Sequence, residues 1–274
     1  MSTLPFEGLL LVSDMDRTLV TEKFTVPKRN LEAIDRFIGG GGRFALATGR
    51  VASSAAKYLG RVSINAPSIL SNGASIYDFN TEKILWNTTL APTAKTIVAK
   101  VLEKFPDVGA EIYKDEQIYI VGSNEWTERH IVNEGFNYRA TDLESVPAGW
   151  QKLLFADENS RLCEVEDFIR SVGYSDCDFV FSNTMYFEGI PKGISKGTAL
   201  LRLAEMLGIA HKNTVGIGDY YNDVSLVRSA GIGATVAGAP EELVDLAEFV
   251  AGPCADGAVA DLVDYLERVH SQKN

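Results

Sequence analysis

The chain has 274 residues and a mass of 29.9 kDa, enough for one large domain or two modest ones at about 100–200 residues each. With 46% hydrophobic and 23% charged residues it has the composition of a soluble globular protein, which excludes a disordered chain, a collagen-like repeat and a disulfide-stapled miniprotein. A formal charge of −11 repels phosphate backbones and argues against a nucleic-acid partner, so any anionic ligand needs a local cation.

No apolar run approaches the roughly 20 residues that span a bilayer, and the first eight residues lack the features of a secretory leader. No membrane partner and a cytoplasmic location are therefore expected. Cys163, Cys177 and Cys254 have no paired spacing and fit free thiols of a reducing compartment.

Taken in order, Gly8 to Ser13 reads as a buried strand that ends in acidic residues. Pro27 starts a helix in which Leu31, Ile34, Phe37 and Ile38 recur at helical spacing, and the glycines at 39–42 stop it. Arg43 to Ala47 is a second strand, Val51 to Leu59 a helix and Ser68 to Leu70 a third strand, an alternation that predicts a parallel sheet with helices on its faces. Ile76–Tyr77 and Ile84–Trp86 flank Asn80-Thr81 as a hairpin, and Pro92 opens a helix through Phe105.

From there to Phe187 the pattern mixes strands, such as Gln117–Val121 and Lys152–Ala156, with a helix over Leu162–Val172 and a hairpin over 179–188. Helix 196–207, strand 214–218, helix 225–229, strand 232–236 and a last amphipathic helix over 257–269 restore the parallel pattern. The predicted fold is α/β, a doubly wound parallel sheet built from residues 1–87 and 188–274, interrupted by an inserted α+β domain at 88–187.

Two stretches carry the chemistry. In Asp14-Met15-Asp16-Arg17-Thr18, two carboxylates directly after a strand concentrate like charge at the mouth of a sheet, where Mg²⁺ is the natural counter-ion and a carboxylate can also attack phosphorus. Strand-end aspartates also cap turns. The second stretch, Gly216-Ile217-Gly218-Asp219-Tyr220-Tyr221-Asn222-Asp223, follows another strand; oxygen ligands converging from two strand ends make a hard-cation site more specific than either motif alone. His130, His211 and His270 lack zinc-ligand spacing, and there is no serine-nucleophile elbow.

Together these motifs resemble the haloacid dehalogenase superfamily, Cof-type branch. Asp14-Met15-Asp16-Arg17-Thr18 matches its first motif, Ala47-Thr48-Gly49-Arg50 its second, Ser195-Lys196-Gly197 its third and Asp219 to Asp223 its fourth, with Ser71-Asn72-Gly73-Ala74 a branch feature. The resemblance implies a Mg²⁺-dependent phosphatase for a small phosphorylated metabolite, with sugar phosphates favoured and the insert serving as a cap. It makes Asp14 the nucleophile, Asp16 the acid and then base, and Thr48 and Lys196 the partners of the transferring phosphoryl group.

By the same resemblance the metal falls to Asp14, Asp16 (through its backbone carbonyl), Asp219 and Asp223. The substrate falls to Thr48, Gly49, Arg50, Asn72, Lys196 and Asn222, with Asn222 and Asp223 also positioning Lys196. A sugar phosphomutase or other phosphotransferase, and a non-catalytic phosphate-binding regulator, are the alternative readings. Two positions depart from the pattern: Arg17 stands where glycine is usual, and Gly238 where asparagine is common. Neither the natural substrate nor the oligomeric state is legible.

Overall fold

The computed structural model describes residues 4–271. Its regular elements, in chain order, are β1 (Leu10–Ser13), α1 (Lys28–Gly39), β2 (Arg43–Leu46), α2 (Ala52–Leu59), β3 (Ser68–Leu70), β4 (Ser75–Asp78), β5 (Lys83–Asn87), α3 (Ala94–Lys104), β6 (Gly109–Lys114) and β7 (Gln117–Gly122). They continue with α4 (Glu125–Glu134), β8 (Tyr138–Ala140), β9 (Lys152–Ala156), α5 (Asn159–Ser171), β10 (Cys177–Asn183), β11 (Tyr186–Pro191) and α6 (Lys196–Met206). The last are β12 (Thr214–Gly218), α7 (Val224–Ser229), β13 (Ile232–Val236), α8 (Glu241–Leu246), β14 (Phe249–Ala251) and α9 (Ala258–Ser271). Two compact units result among the described residues: one holds 4–50, Ala55–Trp86 and 195–271, and the other holds Val51–Ser54 and Asn87–Ile194.

The first unit is organised by β1. Its four residues are all buried, because β12 and β2 pair with it in parallel on either side and helices cover both faces. The full order is β14-β13-β12-β1-β2, every pair parallel. Side chains alternate between faces: Leu9 and Leu11 join Ile34 and Phe37 of α1 and Val263 and Leu266 of α9, while Leu10 and Val12 join Leu200 and Leu203 of α6 and Leu226 of α7. Asn30 of α1 ties the two helices on the first face, its Oδ1 accepting the Ala260 N–H at 3.0 Å.

The third expected parallel strand is placed differently. β3 pairs antiparallel with β4 in a separate sheet of order β3-β4-β5, and an isolated parallel bridge between Ala47 and Ile69 is its link to the strand order of the main sheet. Three residues are too few to extend a ladder that β2 has already left at Leu46.

The second unit is a six-stranded sheet of order β10-β11-β9-β6-β7-β8, antiparallel except for β7 with β8. β11 carries this sheet to Pro191, beyond residue 187 where the sequence places the insert's end. One face packs Leu153, Phe155 and Phe187 against Val98 and Val101 of α3 and Leu162 and Ile169 of α5. The other face is buried yet charged. Lys152 Nζ lies 2.6 Å from Glu188 Oε2 and 4.1 Å from the centre of the Tyr113 ring. The Tyr113 hydroxyl donates to Glu111 at 2.6 Å, and His130 Nδ1 sits 2.9 Å from the same carboxylate. Among the described residues no helix is long and apolar enough to cross a membrane.

Candidate active site

Parallel strands leave their C-terminal ends open to one edge of the sheet, so residues following β1, β2 and β12 converge there. Asp14 leaves β1 with its N–H still bonded to the Ile217 carbonyl of β12 at 2.8 Å, which extends the ladder one residue and fixes the start of the carboxylate's stem. On the other side α6 begins at Ser195, whose hydroxyl accepts the Thr198 N–H while the Thr198 hydroxyl accepts the Ser195 N–H. That reciprocal cap places Lys196 in the first turn with its side chain inward and 0% exposed.

Lys196 Nζ is 2.6 Å from Asp14 Oδ1 and 2.6 Å from Asp223 Oδ1. The other oxygen of Asp223 accepts the backbone N–H groups of Asp219 at 3.0 Å and Tyr220 at 3.2 Å, which holds the loop after β12 closed on itself. Gly218 makes this turn possible, because a Cβ there would lie 2.3 Å from the Asp223 side chain. Gly197 is equally confined, as its Cβ would meet the Ser225 carbonyl at 2.2 Å.

Asp14, Asp219 and Asp223 each offer a carboxylate oxygen, and these oxygens lie within 4.8 Å of one another. Burial pushes the Asp14 carboxyl well above the ordinary range, and the neighbouring Asp223 pushes it in the same direction. Asp219 rises to about 7 for the same reasons in the same order. Burial alone would lower Lys196, but Asp14 and Asp223 outweigh it and hold the ammonium charged. Three clustered carboxylates against one buried lysine leave an excess of negative charge that a hard divalent cation fits, and an all-oxygen donor set suits Mg²⁺. Asp223 is already spent on Lys196 and the loop amides, whereas Lys196 leaves Oδ2 of Asp14 clear.

The side chain of Asp16 is elsewhere. Its carboxylate turns to Arg50, which grips it with Nε at 2.7 Å and Nη2 at 2.8 Å, a two-pronged contact that only a guanidinium supplies. Arg50 in turn lies with its guanidinium 4.6 Å from the centre of the Tyr58 ring. The Asp16 carboxylate is therefore not one of the three that converge, and Arg50, expected to meet substrate, meets Asp16 here. Thr48 is buried, its hydroxyl accepting the Arg50 N–H at 3.2 Å and its carbonyl the Asn72 N–H at 3.0 Å. Gly49 brings the backbone against the Asn72 amide, where a Cβ would lie 3.2 Å away. Asn72 itself sits in the left-handed region at φ 54, and its Oδ1 accepts from Asn222 Nδ2 at 3.2 Å.

The site thus gathers Asp14, Lys196, Asp219 and Asp223 into one cluster, Asp16 with Arg50 into a second contact, and Thr48, Gly49, Asn72 and Asn222 into a hydrogen-bonded rim. Four participants carry no role in the sequence reading: Thr18, Arg17, Tyr58 and Tyr220. Thr18 donates to Asp219 Oδ1 at 3.3 Å, and Arg17 Nε lies 3.1 Å from Asp219 Oδ2 with its guanidinium 5.0 Å from the centre of the Tyr220 ring. The position of Thr18 inside the first motif is a usable signal for it. For Tyr58 and Tyr220 the sequence offers none, since their value lies in the cation each one faces.

Comparison with known proteins agrees with this geometry. Residues 11–263 match the family model of the haloacid dehalogenase-like hydrolases. An HMP-PP phosphatase of Cronobacter sakazakii is 28% identical over 270 residues, covering 94% of this chain and 95% of that protein. Among solved structures, a haloacid dehalogenase-like hydrolase from Bacteroides thetaiotaomicron superposes with a TM-score of 0.83 at 22% identity, covering 94% of this chain and 99% of that one. A sugar phosphatase of subclass IIB gives a TM-score of 0.84 at 20% identity, with coverage of 94% and 98%. These two likenesses speak for the fold, and the family match over nearly the whole chain speaks for descent. With its motifs standing at the ends of β1, β2 and β12 and at the start of α6, the chain belongs to the haloacid dehalogenase-like hydrolases, of the Cof type.

Proposed function

We propose that the chain is a Mg²⁺-dependent phosphatase that hydrolyses a small phosphorylated metabolite, a sugar phosphate by class, in the cytoplasm. The observation that carries this reading is Lys196 wedged between Asp14 and Asp223 at the mouth of the parallel sheet. The phosphatase name of the Cronobacter sakazakii relative supports it.

In this reading Oδ2 of Asp14 attacks phosphorus as the bond to the leaving oxygen breaks, and the phosphoryl group passes to Asp14. Asp16, turned from the Arg50 fork and protonated, would give that proton to the leaving oxygen, and the carboxylate left behind would then take one from the water that releases inorganic phosphate. Arg50 holds the ionised Asp16 carboxylate between exchanges. Lys196 offsets charge on the phosphoryl oxygens, and the Thr48 hydroxyl donates to one of them. Mg²⁺ held by Asp14, Asp219 and the Asp16 carbonyl would supply the positive charge that keeps the buried carboxylates ionised beside a phosphate. Asp223 acts on Lys196 and the loop, and the six-stranded unit serves as the specificity cap.

The test is phosphate release from a panel of phosphorylated sugars, nucleotides and cofactors, with Mg²⁺ and with EDTA, on wild type and Asp14→Asn. Metal-dependent release that falls by about a thousandfold or more in the variant is expected. An Asp14→Asn protein of unchanged rate overturns the nucleophile, and phosphoryl transfer to a second sugar without stoichiometric phosphate identifies a mutase instead.

A further inference from the structure

Three cations contact the carboxylates Asp14, Asp16, Asp219 and Asp223, and they are not equally occupied. Lys196 is shared by Asp14 and Asp223, and Arg50 grips Asp16 with two nitrogens. Arg17 touches Asp219 through Nε, while among the described residues its two Nη atoms have no hydrogen-bond partner. A guanidinium carries five N–H donors, so Arg17 keeps most of its capacity. Its backbone is in the left-handed region at φ 60, a conformation unfavourable for any residue with a Cβ, yet arginine occupies it. Stacking on Tyr220 holds the charged head in place despite its partial exposure.

Arg17 lines a cavity of about 820 Å³ formed within this unit. Thr21, Lys23, Thr25, Tyr220 and Tyr221 contribute hydroxyls and a second cation to its wall, with Asp219 and Glu22 as its carboxylates. Gly238 borders it too, and a Cβ there would meet nothing within 4 Å, so that wall is open. The two positions that depart from the family pattern thus line one space, a single carboxylate away from Asp14.

We propose that Arg17 and this cavity bind a second anionic group, a carboxylate or a phosphate, on the leaving portion of the substrate, so that the preferred substrates are doubly anionic organic phosphates. This rests on the phosphatase reading above. A planar fork with unused donors matches either oxyanion, and a chain of net charge −11 must supply such a cation locally.

Three six-carbon phosphates test it: glucose 6-phosphate, 6-phosphogluconate and glucose 1,6-bisphosphate, which carry a neutral, carboxylate or phosphate group at C1 as the tail. In wild type, kcat/KM for at least one anionic-tail compound is expected to exceed that for glucose 6-phosphate by about tenfold or more, chiefly through KM. Arg17→Gly, which suits the left-handed backbone and so protects the fold, should reduce that ratio to near one, and Arg17→Lys should restore part of it. Calorimetric binding of the same compounds to Asp14→Asn protein reads the tail contact without turnover, and Arg17→Gly in that background should erase the difference. Equal affinity for all three tails, or an Arg17→Gly effect of the same size on all of them, overturns the proposal. Failure of wild type to release phosphate while the tail preference persists in binding overturns the phosphatase reading and leaves the anion site standing.

Discussion

Each unit buries a lysine, and the two lysines live in opposite electrostatic company. Lys152, 3% exposed, meets Glu188 across adjacent strands under the Tyr113 ring, and the neighbouring Glu111 is served by a tyrosine hydroxyl and a histidine nitrogen. Lys196 meets two carboxylates, with a third converging beside them. A matched pair repays its desolvation through its own geometry, so it serves the architecture of the sheet. A surplus of carboxylates leaves Asp14 and Asp219 resisting ionisation, and such a surplus is retained where a further positive charge arrives with the chemistry.

The contrast can be broken most directly at Asp223. Asp223→Asn removes half of the charge that anchors Lys196, and kcat should fall by about a hundredfold with little loss of thermal stability, because repulsion on Asp14 and Asp219 is relieved. Steady-state kinetics beside a melting curve checks both halves; an unchanged kcat would mean the surplus has no catalytic purpose. In the other unit, Lys152→Met removes the ammonium facing buried Glu188 and should cost about 3–5 kcal/mol by urea denaturation, with most of it recovered in Lys152→Met/Glu188→Leu. If the single variant keeps its stability and loses activity instead, the charged face of the six-stranded sheet belongs to the chemistry.

The smallest effect sharpens the comparison through pH. Without metal, the Asp219 carboxyl is raised from its ordinary 3.8 to about 7, so the folded state holds a proton that the unfolded chain releases. Its stabilising contribution is complete below the ordinary value and is lost as pH climbs through about 7. Melting temperatures in EDTA should therefore decline from pH 4 to 8 more steeply than in Mg²⁺. At a hundredfold excess over its dissociation constant the ion should add about 2.7 kcal/mol. Identical slopes with and without the ion would show that the clustered carboxylates do not receive it.

The strand ends that bear Asp14 and Asp219 were legible because a short apolar run followed by acids is an unusual sentence in any chain. Lys196 was legible through its motif, since nothing about a lysine early in a helix announces burial. What escaped depended on partners distant in sequence. The Asp16–Arg50 fork joins residues 34 apart, and only the closing of β1 beside β2 brings them together. The strand character of β3 is legible, but its main pairing, antiparallel with β4 and by only one bridge parallel to Ala47, is not, because three residues carry no register of their own. The helix α4 escapes the hydrophobic pattern: its polar sequence gives weak periodicity, although Asn124 and Thr127 form a reciprocal cap that marks its start. Left-handed Asn72 was equally invisible, its conformation being set by the bonds of its neighbours.

The confinement of Gly218 and Gly197 also bears on how this protein can diverge. At both positions a single methyl group would strike the machinery or its backbone, so substitution there is costly in this fold. Gly238 is the reverse case: its φ of 91 makes any substitution cost backbone strain, yet a Cβ there would meet nothing within 4 Å, so that strain and not a clash at the Cβ restricts the choice. Evolutionary change is thereby channelled away from the phosphorus-handling residues and toward the cavity rim. New selectivities can be sampled there one substitution at a time while the reaction centre stays fixed.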